Sequence, residues 1–331
     1  MPDVTIYDIA KRAGVSAATV SRVINHYPHV KQSTREKIEA LLSEANYVPN
    51  ETARGLVNQA SKLIAILITD IRTTQHTDGI YYMQREFATR GYACIILNTG
   101  RSIEEKVASI QLVCKRKVDA VVLMGSAFQT EDIKNALELY LTGVPIAFCN
   151  GYLDLPNVYS IIADEKGGVR EAVAFLRDKK REKIAFIVNV DTASNRLKEE
   201  GYREGMRVSC PDFAPVVAWT GDTLREMQEC ILGLLKQCPD LQGIIFAEDQ
   251  LAFMGLHVLQ VLGKSVPGEI AVIGINNSKL AEFSLPTLTS LDNSLKEMSM
   301  AAVRCIIDSF EGEQAPRKNL IPITLVERES T

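Results

Sequence analysis

From Lys62 onward the chain alternates short apolar runs with stretches of helical period. The runs are KLIAILITD, YACIILNT, AVVLMG, PIAFCN, VYSIIAD, KIAFIVN, PVVAWT, GIIFAED and IAVIGIN. Continuous apolar strands of this length, most followed by a helix, predict parallel sheets covered on both faces. Roughly 270 residues exceed what one such sheet uses, so the pattern predicts two sheets and two subdomains. No internal repeat is clear enough to divide them. The first sixty residues read differently, as short helices only.

Thr5 to Ala13 predicts a helix, with Thr5 as N-cap, Asp8 three residues on, and Ile9 and Ala13 on one face. Gly14 ends it, Val15 packs inward, and Ser16 caps a second helix reaching Asn25. Val20, Val23 and Ile24 of that helix face a core, which leaves Ala17, Ala18, Ser21 and Arg22 outward. A third helix, capped by Ser33 in STREKIEALLSEA, carries Ile38, Leu41 and Leu42 to brace the pair. Two short helices around a glycine-bearing turn have the dimensions of a helix-turn-helix. On spacing alone, a three-helix bundle making protein contacts fits as well. The following YVPNETARGLVNQAS, with Asn50 as cap, is either a plain linker or a short helix. Isolated helices below about 12–15 residues are marginal, and Gly55 costs about 1 kcal/mol against alanine.

Charge does not decide between these readings. The whole chain carries −4, and the first sixty residues hold seven Lys or Arg against six Asp or Glu. The absence of a long apolar run excludes a membrane span, and the charged start MPDVTIYDIAKRAG predicts a cytoplasmic protein. Seven scattered cysteines without a Cys-x-x-Cys pair read as reduced core thiols. His26 and His29 have no cysteine at zinc spacing, so no metal is expected. No strand is followed by Gly-x-Gly-x-x-Gly or a Walker loop, and no Gly-x-Ser-x-Gly elbow occurs. These absences argue against an enzyme and against a nucleotide cofactor.

The run TIYDIAKRAGVSAATVSRVIN, then Val30, TREKIEALLSEANYVPN and ARGL, resembles the headpiece of the LacI/GalR family of bacterial transcriptional regulators, from Thr5 to Leu56 almost without a gap. The resemblance implies that the second helix enters the major groove of operator DNA, with Ala17 and Ala18 at the two positions that choose the sequence. Tyr7, Ser16, Thr19, Ser21, Arg22 and Asn25 match positions that hold phosphates or neighbouring base edges. Alanine methyls offer no hydrogen bond but pack on thymine methyls. The hinge then folds when two copies meet on DNA, Ala53 lies along it, and Leu56 wedges between central base pairs. A headpiece at 1–48 and a hinge at 49–60 thus precede a core at 61–331.

Looser similarity continues through ATRGYACIILNT, EGYREGM, FAEDQLAFMGLHVLQVLGKSVPGEIAVIGIN, SLPTLTSLDNSLKEMSMAAV and PITLVERES. It implies a periplasmic-binding-protein-like core whose N-subdomain takes 62–162 plus 292–320 and whose C-subdomain takes 163–291 plus 321–331. A ligand is then clamped at the carboxyl ends of the strands. The effector residues implied are Gln75, His76, Asn150, Asp164, Lys198, Glu248, Asn276 and Asn293 by family position, with Arg196 two residues before Lys198 and Trp219 four residues before Thr223, which stands at the family's aromatic position. Lys198 stands where most members have arginine, Asn276 where they have aspartate, and Glu248 where they have asparagine. Lysine is a point charge rather than a fork, which favours a sugar acid within the expected class of sugars. Asp249 reads as structural; a solvated face with Glu199 and Glu200 is the lesser alternative for Arg196 and Lys198, and Trp219 reads more readily as core than as a ligand platform. The expected assembly is a homodimer on a near-palindromic site. Control by a protein partner is the alternative, and a transport-type binding protein is disfavoured by the headpiece.

Overall fold

The computed structural model describes residues 4–24, 27–45, 47 and 61–331. Asn25, Ala53, Leu56 and the rest of the expected hinge at 49–60 lie outside the described residues. The chain divides into two compact units, residues 1–61 and 62–331.

In the first unit α1 (Ile6–Ala13) starts at a capping box: Thr5 Oγ1 accepts from the Asp8 amide, and the Asp8 carboxylate accepts from the Thr5 amide. It ends at Gly14, whose φ of 73° is the left-handed conformation glycine tolerates. Lys37 Nζ closes that end by donating to the Ala13 carbonyl at 2.9 Å. The next helix, α2 (Ala17–Ile24), is capped by Ser16, whose Oγ accepts from the Thr19 amide. Helix α3 (Gln32–Glu44) begins earlier than Ser33 predicts. The Thr34 and Arg35 amides bond the Lys31 carbonyl, so Lys31 takes the cap position without a side-chain bond. Ile9, Ala10, Ala13, Val20, Val23 and Ile38 form the buried core.

The second unit holds two six-stranded sheets. All nine apolar runs are strands: β1 (Leu63–Ile68), β2 (Ala93–Asn98), β3 (Ala120–Met124), β4 (Ile146–Cys149), β5 (Val158–Ala163), β6 (Ile184–Val188), β7 (Val216–Trp219), β8 (Gly243–Phe246) and β9 (Ala271–Ile275). Three more follow, β10 (Thr289–Asp292), β11 (Lys318–Ile321) and β12 (Thr324–Val326). The orders are β11-β5-β4-β3-β1-β2 and β12-β10-β9-β8-β6-β7. The sheets are parallel as expected, with one antiparallel pair, β10–β12, at a rim. The chain passes between sheets after β5, after β10 and between β11 and β12.

Helices cover the sheets: α4 (Thr74–Thr89), α5 (Ile103–Arg116), α6 (Glu131–Tyr140), α7 (Glu165–Asp178), α8 (Ala193–Ser209), α9 (Leu224–Gln237), α10 (Asp249–Val261), the short α11 (Lys279–Phe283) and α12 (Leu295–Glu311). α12 packs on α4, β4 and β5, so it returns to the first sheet. α7 and α8 make the most extensive helix contact, and Gly201 permits it: a Cβ there would sit 2.2 Å from the Lys166 carbonyl oxygen. No described helix is long and apolar enough to cross a membrane. All seven cysteines are free.

Candidate functional site

The first unit presents α2 with Val20 and Val23 buried beneath it. Ala18 and Arg22, one turn apart, are exposed, whereas Ala17 is half-buried and packs partly on the core, less outward than its spacing implied. Ser21 is half-buried too. Tyr7 on α1 is 74% exposed, leaving its hydroxyl free to reach a partner. Ser16 Oγ and Thr19 Oγ1 share a hydrogen bond of 3.0 Å at the α2 N-terminus. Aromatic hydroxyl, guanidinium, two hydroxyls and two methyls on adjoining helices form a surface suited to phosphate contacts and thymine packing.

In the second unit a cleft of about 420 Å³ opens between the sheets. Its lining follows strand ends: Thr69 after β1, Gly125 and Ser126 after β3, Asn150 after β4, Glu165 after β5, Asn189 after β6, Glu248 two residues after β8 and Asn276 after β9. The carboxyl edges of both sheets therefore face each other, where open α/β sheets place ligands. Hydrogen bonds already join the walls. The Ser194 amide donates to Ser126 Oγ at 3.0 Å, and Asn150 Nδ2 donates to Glu165 Oε1 at 3.1 Å. Arg101 pairs with Asp222 at 3.1 Å.

The electrostatics of the cleft are mostly settled internally. Lys198, 5% exposed, donates to the Ala247 carbonyl at 3.0 Å and to Asn195 Oδ1 at 3.2 Å, with Glu165 Oε1 3.5 Å away. Glu165 Oε1 also accepts from Ser194 Oγ at 2.7 Å. Arg196 forks onto Asp191 at 2.6 and 2.8 Å. His76 Nδ1 donates to the Asp70 carbonyl at 2.8 Å. Burial pushes the His76 pKa down, so its ring is neutral and its Nε2 is an acceptor. Three buried lining atoms have no hydrogen-bond partner among the described residues: Gln75 Nε2, Glu165 Oε2 and Asn189 Oδ1. A buried polar atom left unpaired costs about 1–3 kcal/mol, so one donor and two acceptors await a polar guest.

Residues 5–50 match the model for bacterial regulatory proteins of the lacI family, and residues 173–331 match a periplasmic binding protein-like domain. An HTH-type transcriptional regulator from Lachnoclostridium phytofermentans is 30% identical over 98% of this chain and 99% of its own. The chain belongs to the lacI family. Among solved structures, a lac repressor dimer bound to operator and an anti-inducer superposes with a TM-score of 0.89 at 24% identity, covering 99% of both chains. A complex of the transcriptional regulator CelR with cellobiose gives 0.72 at 26% identity, over 99% of this chain and 100% of that one. As a member of this family, the chain is a transcriptional regulator and not an enzyme.

Of the effector residues that the resemblance implies, Gln75, His76, Asn150, Arg196, Lys198, Glu248 and Asn276 line the cleft. Three do not. Asp164 caps α7, its Oδ1 accepting from the Gly167 amide at 3.0 Å, and so has its carboxylate engaged in the helix start. Trp219 is 54% exposed at the end of β7, neither core nor cleft platform. Asn293 is buried outside the lining and donates to Asn276 Oδ1 at 3.3 Å, which makes it a support for a lining residue. Lys198 is buried beside Glu165, which starts α7 against α8, rather than on a solvated face with Glu199 and Glu200. Arg196 likewise pairs with Asp191 rather than Glu199 or Glu200. Asp249 is structural as read, accepting from the Ser278 amide and Ser290 Oγ, each at 2.6 Å, with burial raising its pKa to about 6. Sequence reasoning missed Glu165, Asn189, Ser126 and Ser194. Ser126, Glu165 and Asn189 lie one or two residues beyond strands that were correctly expected, which was the available signal, whereas Ser194 lies in the first turn of α8 and had none.

Proposed function

We propose that this chain is a homodimeric repressor that binds a near-palindromic operator through Tyr7, Ser16, Ala17, Ala18, Thr19, Ser21, Arg22, Asn25, Ala53 and Leu56. Its hold on DNA is set by a sugar or sugar derivative in the cleft, and it works in the cytoplasm with that DNA. The cleft's unpartnered buried atoms carry the effector reading. Gln75 Nε2 can donate, and Glu165 Oε2, Asn189 Oδ1 and the neutral His76 Nε2 can accept, which is the mixed set a polyhydroxy ligand needs. The CelR–cellobiose complex supports the ligand class. The dimer reading is supported by Phe253, Phe283 and Leu285, exposed on and beside the packed helices α10 and α11, and by the dimeric lac repressor relative. No observation favours control by a protein partner.

The test has two parts. Selection from random duplexes should return a near-palindrome, and sedimentation of the complex should give two chains per duplex. Binding of that duplex should then change on adding one member of a panel of neutral and acidic sugars. A single 36.6 kDa chain binding with full affinity, or indifference to the whole panel, would refute the respective half.

A further inference from the structure

Four cations line the cleft: Arg101, Lys106, Arg196 and Lys198. Three have a carboxylate within 4 Å, namely Asp222, Asp191 and Glu165 respectively. Lys106 has none among the described residues. It is 4% exposed, and its Nζ makes one hydrogen bond, to the Ala127 carbonyl at 2.9 Å, with the Phe128 ring 5.6 Å away. An ammonium has three protons to donate, so two remain. Burying it without a paired carboxylate is costly, and desolvation pushes its pKa down against a smaller upward pull from the Glu105 charge. Glu105, its sequence neighbour, is turned to the Ser102 cap, where it accepts from Ser102 Oγ. Glu248, the cleft carboxylate without a paired cation, is only half-buried and accepts from Asn189 Nδ2 at 3.2 Å, so hydroxyl groups suffice for it.

We propose that the cleft ligand is an anionic sugar whose carboxylate or phosphate sits against Lys106 on the first-sheet wall. Its hydroxyl groups then reach Glu248, Asn189 and Gln75. This rests on the reading of the cleft as a sugar site and assigns the charge to a residue that family position did not select. It also moves the anion away from Lys198, whose charge Glu165 already balances.

Calorimetric titration of the full chain with D-glucose, D-galactose, D-glucuronate, D-galacturonate and D-glucose 6-phosphate tests it. At least one anion should bind tenfold or more tightly than its neutral parent, and which anion does so separates carboxylate from phosphate. Lys106→Gln, which can still donate to Ala127, should remove that excess while melting near the parent temperature, and Lys106→Arg should keep it. Neutral sugars binding as tightly as the acids overturns the proposal and leaves the sugar site standing. An anion preference unchanged in Lys106→Gln overturns the role of Lys106, as does a lowered melting temperature with unchanged selectivity, which marks a purely structural lysine. A panel with no binder at all overturns the sugar site itself.

Discussion

Replacing Lys198 by methionine asks whether that lysine holds a ligand or holds the fold. The change keeps the aliphatic stem and deletes a nearly buried ammonium with three oxygen partners, Glu165 Oε1, Asn195 Oδ1 and the Ala247 carbonyl. Glu165 stays buried, with Ser194 and Asn150 still donating to it but no countercharge. Removing one member of a buried ion pair costs about 3–5 kcal/mol. For a unit of this size each kcal/mol moves the melting temperature by about 2–4 °C, so a fall of about 6–20 °C is expected without any ligand. Adding Glu165→Gln should recover much of it, because the two side chains are in contact and their effects do not add. The assay is thermal melting of parent, both single variants and the double variant. Melting within about 2 °C of the parent for Lys198→Met, combined with lost effector response, would refute the structural reading and return Lys198 to the ligand.

Asp249 predicts a pH signature. Its folded pKa of about 6 lies above the ordinary 3.8, so the contribution of its protonated form is full below about pH 4 and is lost as pH rises through 6. The difference in urea-unfolding free energy between the parent and Asp249→Asn should therefore fall by about 2 kcal/mol between pH 4 and 7, and parallel profiles would contradict it. Two glycines should respond oppositely to alanine in thermal melts. Gly201→Ala forces α8 off the Lys166 carbonyl and should cost about 1–3 kcal/mol, whereas Gly233 in α9 has open space and should gain about 1 kcal/mol. Ala18→Gln should change the operator recovered by selection, because it introduces an adenine reader on an exposed turn of α2; an unchanged sequence counts against that face.

Strands β1, β3, β4, β6, β8 and β9 were legible as nearly continuous apolar runs buried on both faces, and β2, β5 and β7 because their runs are apolar although partly exposed. Strand β10 was not, since its Thr289 and Ser290 are fully buried yet polar, satisfied by Ser330 and Asp249 from distant segments. Strands β11 and β12 are short, with exposed positions, and their apolar content is too thin to read. Within the cleft, sequence position brought Gln75, His76, Asn150 and Asn276 to the lining but did not reveal how charges pair. The Lys198–Glu165 contact spans 33 positions and depends on how α8 lies on α7. The same limit hid Lys106, whose helical spacing is that of any solvated lysine. Asp164 falls outside the lining for a local reason: an acid just before a helix is as good a cap as a ligand.

The interleaved path of the chain also bears on how it is made. A ribosome delivers β1 to β5 about 130 residues before α12, which covers α4, β4 and β5, and before β11, which flanks β5. Until those late segments emerge, the first sheet has an open edge at β5 and an uncovered apolar face. The second sheet, by contrast, waits only for β12 at its rim. Nascent chains stalled between Glu165 and Ser294 should therefore be the ones that recruit chaperones, because the sheet translated first stays uncovered the longest.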